Sequence, residues 1–149
     1  MVLATSDSNR WPLHYARDLN PAVAFNGSPS SSSPVHFTVF NAFGEAGNTA
    51  QVLLSCSGTA PGIPIPDGSG RTIPLVADTC TTLALQSPFV FSGPVDSTGT
   101  AQTPTIPFPN VPTGITVFAA AVTIQTGPTA FISVTSPTSF TTQRDRSSE

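Results

Sequence analysis

The sequence predicts an all-β fold: an Ig-like two-sheet β-sandwich of about eight strands with an extended N-terminal arm. The chain of 149 residues has no lysine, and only 9% of its residues are charged. It contains 21 Thr, 18 Ser, 16 Pro and 11 Gly, with ten Phe against one Trp and one Tyr. Short runs of apolar and β-branched residues lie between Pro- and Gly-rich stretches, a pattern typical of strands joined by turns.

The length corresponds to one domain, which we divide into three parts. Residues 1–33 form an arm and a Ser/Pro linker, residues 34–143 the sandwich, and residues 144–149 a charged tail. The linker ends in a run of only Ser and Pro (28–34), which favours extended backbone. The arm is too apolar for a free tail and too short to fold alone, so we expect it to pack on this domain or on a neighbouring subunit. The side chains that we expect to make this contact are Trp11, Leu13, Tyr15, Leu19, Val23 and Phe25.

The sandwich begins with strands that the sequence pattern marks clearly. Alternation at 35–40 and an apolar run at 50–57 predict two strands joined by a turn at 44–48. Three Pro and four Gly within 58–70 predict a long loop. Residues 72–76 and 79–86 are predicted as strands or extended pieces; a helix over 77–86 is the alternative, which its Thr run disfavours.

The remaining strands are predicted at 89–92, 100–106, 114–125, 130–135 and 139–143, with a hairpin-type turn at 96–99. The segment 114–125 is the longest and is apolar on both faces near its centre, which indicates a central strand. We expect Val117, Ala119 and Ala121, or their alternates Phe118, Val122 and Ile124, in one core with Phe37, Val39, Leu53 and Phe91.

Cys56 and Cys80 are the two cysteines of the chain, so one pairing is available. We predict a disulfide that joins neighbouring strands or a strand and the long loop, and that contributes roughly 3 kcal/mol. Two buried thiols in a reducing cell are the alternative. The rest of the composition favours an oxidising, extracellular setting.

Charge and hydropathy exclude several classes of function. The net charge is −3, with five Arg and no Lys, so a phosphate-binding surface is not expected and neither is nucleic acid as a partner. No apolar run approaches the roughly 20 residues of a membrane helix, so membrane insertion is not expected. Residues 1–8 lack the pattern of a signal peptide. Either such a signal has been removed, or the protein never used one, as in a virion component.

Candidate catalytic and metal-binding residues are sparse. Asp67 and Asp78 could offer oxygen ligands to Ca²⁺, but two carboxylates fall short of the six to eight oxygens that calcium takes. By residue type alone, His14, Asp18 and a serine could form a hydrolytic triad. No G-x-S-x-G motif is present, however. We therefore expect no enzyme, no metal and no cofactor. An Asn26-Gly27-Ser28 sequence matches a glycosylation acceptor and equally a turn.

Several stretches together resemble a known family: 58–62, 73–78, 91–101, 106–112 and 114–122. Their order is similar to an uncharacterised secreted module abundant in planctomycete-type and myxobacterial-type bacteria. Phe118 and Ala120 stand where that family usually has Tyr and Gln. The resemblance covers about 34–143. It implies a secreted β-sandwich and implies no catalytic residues.

Together these observations predict an extracellular or cell-surface structural protein whose subunits assemble into a fibre, tube or coat. Its partners would be copies of itself, with cell-surface or virion components as further candidates. The alternative is a non-catalytic binding module for carbohydrate or a virion decoration protein, in which Trp11 and Tyr15 could stack on a sugar ring. Under the assembly hypothesis, deletion of residues 1–27 is expected to leave a folded sandwich that no longer assembles.

Overall fold

A computed structural model describes residues 20–126 and 129–144 and confirms the all-β sandwich. Eleven strands and two short helices lie within these residues. Their bounds are β1 Ala22–Asn26, β2 Pro34–Phe40, β3 Thr49–Ser55, β4 Ile63–Pro64, β5 Thr72–Ile73, α1 Thr79–Gln86, α2 Pro88–Phe91, β6 Ser92–Pro94, β7 Ala101–Gln102, β8 Ile106–Pro107, β9 Thr116–Gln125, β10 Ala130–Val134 and β11 Thr138–Thr141.

Two antiparallel sheets form the sandwich. The first has the order β1-β2-β7, with β8 also paired to β2, and the second has the order β10-β9-β3-β6, with β11 also paired to β9. Strand β6 runs close against β7 where the sheets meet, and a side chain at Gly93 would clash with the backbone carbonyl oxygen of Gln102. Only glycine permits this approach, so Gly93 closes one side of the sandwich.

The main core lies between the sheets, where alternate residues of each strand point inward. In β2 these are Val35, Phe37 and Val39, all buried, while His36 and Thr38 are half-buried. The opposite sheet contributes Val52, Leu54, Val117, Ala119 and Ala121 to the same cluster. The predicted core is thus confirmed for Phe37, Val39 and the Val117 face of β9, with Phe91 packed at its margin.

A second apolar cluster covers the outer face of the second sheet. The segment between β3 and α1 folds over that face as the short hairpin β4–β5, which buries Ile65, Ile73 and Leu75 against Leu53 and Val122. The predicted loop at 58–70 therefore contains a strand, and Leu53 belongs to this cluster rather than to the main core. The cover explains why β9 is apolar on both faces.

Arg71 fastens the β4–β5 hairpin to the sheet. Its guanidinium donates hydrogen bonds to the backbone carbonyls of Phe131 and Ile132 at 2.7 and 2.6 Å. It also forms an ion pair with Asp67 at 3.0 Å.

The prediction of a strand at 79–86 was wrong, because these residues form helix α1. Asp78 provides a capping box: its carboxylate accepts from the N–H of Thr81, and the Thr81 hydroxyl accepts from the N–H of Asp78. The threonines that argued for a strand occupy the start of the helix, where a hydroxyl can satisfy free backbone groups.

The assignment of residues 1–33 to an arm also needs correction. Val23 and Phe25 lie in β1, which pairs with β2 over Ala22–Asn26, and both pack on the main core. The Ser/Pro run is a compact connection from β1 to β2, in which Ser30 is buried and hydrogen-bonded to Ser33. Trp11, Leu13, Tyr15 and Leu19, and residues 145–149 of the predicted tail, lie outside the described residues.

An apolar pocket at one end of the sandwich as the candidate functional site

An apolar pocket of about 240 Å³ opens at one end of the sandwich, between the two sheets. We call it the end pocket. Its floor is formed by inward-facing core residues at the ends of the strands, among them Val35, Leu54 and Val117. The pocket forms here because helix α1 and the chain between β7 and β9 cover this end of the sandwich only in part.

Five phenylalanines from different parts of the chain line the end pocket. Phe25 stacks on Phe140 with ring centroids 4.0 Å apart, and it meets Phe37 edge-on at 5.4 Å. Phe91 and Phe108 extend this cluster, at 6.4 Å from Phe37 and 6.2 Å from Phe140 respectively. The rings offer both faces and edges to an occupant, which favours an aromatic or aliphatic group.

Helix α1 forms one side of the pocket mouth and is fixed to β3 by two contacts. The Cys56–Cys80 disulfide, with Cα atoms 5.9 Å apart, joins the end of β3 to the first turn of α1. The hydroxyl of Thr81 donates to the carbonyl of Leu54 at 2.6 Å. The predicted disulfide is therefore present and links a strand to a helix. One turn along, Leu83 lines the pocket while remaining 53% exposed.

The Asp78 carboxylate also joins the end of β3 to the start of α1, through hydrogen bonds. Its carboxylate accepts hydrogen bonds from the hydroxyls of Ser55 and Ser57 at 3.0 and 2.7 Å, and from the N–H of Cys56 at 2.9 Å. Two backbone N–H groups in the first turn of α1 donate to its other oxygen. Burial alone would raise the pKa of Asp78, but these hydrogen bonds outweigh it and hold the pKa at about 2.

The other side of the mouth is the Pro-rich chain around residues 104–115. Pro109, Val111 and Pro112 line the pocket and are exposed. Together with Leu83 they form what we call the pocket mouth. Because proline has no N–H and a fixed φ, Pro109 and Pro112 present apolar rings to the pocket without backbone donors of their own.

Two threonines also line the pocket, and their hydroxyls are engaged by the backbone. The Thr103 hydroxyl accepts from the N–H of Phe37 at 2.8 Å. The Thr142 hydroxyl accepts from the N–H of Ile115 at 2.9 Å and donates to the carbonyl of Pro112 at 2.7 Å. These hydrogen bonds satisfy polar groups at the wall, so the pocket is suited to an apolar occupant.

The carboxylates considered for calcium serve other roles. Hydrogen bonds from the hydroxyl and N–H of Ser69, together with nearby Arg71, lower the pKa of Asp67 to about 2 in an exposed turn. Asp78 caps α1, as described above. Within residues 20–126 and 129–144, no three His, Cys, Asp or Glu side chains come together as metal ligands. Over the same residues, no helix is long and apolar enough to cross a membrane.

The sequence pointed to only part of this site. It identified Cys56 and Cys80 at the rim, and it placed Phe37, Phe91 and Val117 in the core. It also named Phe25, which it placed in an arm. It gave no role to Leu83, Phe108 or the Pro-rich chain. One signal was available: Phe108 is a large apolar residue that lies among prolines and outside the predicted strands.

Comparisons of the chain with protein families, with curated protein sequences and with solved structures found no match. The family resemblance seen in the sequence therefore stays an expectation.

Proposed function

We propose that the protein is an extracellular structural subunit that assembles with copies of itself through its leading segment, residues 1–19. The end pocket carries this proposal. Its mouth leaves Leu83 53% and Val111 38% exposed beside an open apolar cavity. Exposed apolar surface of this kind marks an interaction site on a soluble domain.

The leading segment supplies a matching apolar group. It contains the one Trp and the one Tyr of the chain, at positions 11 and 15, with Leu13 between them. Burial of two aromatic side chains removes roughly 400 Å² from water, which corresponds to about 10 kcal/mol of gross stabilisation. Association itself costs about 4–15 kcal/mol. The net affinity is therefore modest, and assembly should depend on protein concentration.

An extracellular location is supported by the disulfide and by the composition. The Cys56–Cys80 bridge suits an oxidising compartment. A surface rich in hydroxyl groups and without lysine is consistent with a static extracellular role.

A non-catalytic binding module is the second candidate, and the same pocket supports it. Its volume of about 240 Å³ lies below the roughly 300–1,000 Å³ of pockets for drug-sized ligands, so one or two side chains fit better than a large ligand. The apolar lining offers few partners for sugar hydroxyls, which makes carbohydrate a poor occupant.

Truncation tests the assembly proposal. The truncation must be shorter than the sequence suggested. A deletion of residues 1–27 would remove β1 and part of the core, so the deletion must end at residue 19. We expect the full chain to form larger species with rising concentration in sedimentation velocity. The truncated chain should stay monomeric with an unchanged circular dichroism spectrum. A full chain that stays monomeric at millimolar concentration, or a truncated chain that assembles equally well, contradicts the proposal.

A further inference from the structure

The end pocket and the start of the described chain lie at opposite ends of the sandwich. The pocket is lined by Phe25 and Val35, where β1 ends and β2 begins. In the β1–β2 register, Ala22 pairs with Phe40 at the far end of β2. Asn20 lies beyond this pair, and its carbonyl accepts a hydrogen bond from the Asn41 side chain at 3.2 Å.

The positions of the pocket and of Asn20 give each subunit two different ends. Phe25 lies three residues beyond Ala22 along β1, a separation of about 10 Å, and Asn20 lies on the far side of Ala22. The leading segment therefore joins the sandwich at the end away from the pocket, and a second copy placed end to end would bring its own pocket to that end.

We infer that the end pocket receives residues 11–15 of a second copy of the chain, so that subunits join head to tail. The inference rests on the proposed function and specifies its receptor site. A head-to-tail contact uses two different surfaces of each subunit, and it produces an open-ended fibre when the rotation between subunits does not close a ring.

The occupant fits the chemistry of the site. Trp11 offers a flat aromatic ring to a cavity lined by five phenylalanines and sized for one or two side chains. Leu13 and Tyr15 follow at alternate positions, and in an extended segment they lie on the same face as Trp11. The apolar side chains of the pocket mouth, such as Leu83 and Val111, provide a surface for them. Trp is also the residue type most often found at the energetic centre of an interface.

Complementation between two assembly-defective chains tests this inference. One chain lacks residues 1–19 and keeps the pocket; the other is the full chain carrying Leu83→Glu, which places a charge at the pocket mouth. The matched control is Leu85→Glu, since Leu85 lies on the same helix and is 56% exposed but does not line the pocket. Because the exposed Leu83 makes no large contribution to folding, the Leu83→Glu chain should keep its circular dichroism spectrum.

We expect each defective chain to be monomeric alone and the mixture to form a 1:1 heterodimer in sedimentation velocity. The Leu85→Glu chain should assemble like the unmodified chain. Trp11 is the one Trp of the protein, so its fluorescence reports on the leading segment alone. Its emission should move to shorter wavelength when the truncated chain is added to the Leu83→Glu chain.

The outcomes separate this inference from the proposed function. If the unmodified chain assembles and the Leu83→Glu chain assembles equally well, the pocket is not the receptor, while self-assembly stands. If Trp11 emission is already at short wavelength in a dilute monomer and Leu83→Glu shifts it to longer wavelength, the segment fills its own pocket and the head-to-tail arrangement is wrong. If the unmodified chain never assembles, the proposed function fails with it.

Discussion

Replacement of Phe37 by Ala tests the packing between the two sheets. Phe37 is 6% exposed and contacts the rings of Phe25, Phe91 and Phe140 at centroid distances of 5.4, 6.4 and 6.2 Å. A buried Phe removes roughly 150–250 Å² from water, about 4–6 kcal/mol, and Ala retains part of this. We expect the free energy of unfolding to fall by about 3–4 kcal/mol, within the range of Phe→Ala substitutions in protein cores.

Urea denaturation of the disulfide-intact protein, followed by circular dichroism, measures this loss. The midpoint should fall while the dependence on urea concentration stays constant, because the unfolded chain exposes nearly the same surface. Phe89→Ala is the matched control: Phe89 is 87% exposed on α2, so its loss should stay within about 0.5 kcal/mol. A loss below about 1 kcal/mol for Phe37→Ala would mean that this face of β2 is not the core.

Two further predictions concern the junction of β3 and α1. The Cys56–Cys80 bridge closes a separation of 24 residues, so its reduction should lower the free energy of unfolding by about 3 kcal/mol. Alkylation of the unreduced native protein should add no mass to the intact chain, and two labelled thiols would show that the bridge is absent. The pKa of Asp78 is lowered from 3.8 to about 2, so its carboxylate contributes stability that is fully present above about pH 4 and is lost as the pH falls through 2. Asp78→Asn should lose about 1–2 kcal/mol at pH 6, because a neutral amide accepts the surrounding hydrogen bonds less strongly than a carboxylate does. It should approach the unmodified protein in stability near pH 2, measured by denaturant titration at each pH. A difference that does not change between pH 6 and pH 2 would contradict this assignment.

The strands of the main core were predictable because their signal is local. Alternation in β2 and the long apolar run of β9 need no knowledge of the rest of the chain, since residue-by-residue alternation is a property of the strand itself. The disulfide was predictable because two cysteines allow one pairing. The sequence also indicated that β9 is central, although it could not show what covers its second face.

Helix α1 was missed because propensity was weighed without its tertiary partners. A run of Thr disfavours a helix when it is considered alone. In the structure, Asp78 and Thr81 cap this helix, Thr81 bonds to Leu54, and Cys80 ties the first turn to β3. The boundary at residue 33 failed for a related reason: β1 is short, and only its pairing with β2 distinguishes it from an arm.

The sequence by itself determined an all-β class, the central position of β9 and the cysteine pair. Strand periodicity and residue type can be recognised from neighbouring residues alone. Only the tertiary structure decided that five distant phenylalanines meet in one pocket, that Leu83 stands exposed at its mouth, and that the chain enters the sandwich at the opposite end. These features depend on strand register and on the path of the connections, which are set by contacts between residues far apart in sequence and leave no periodic trace in it.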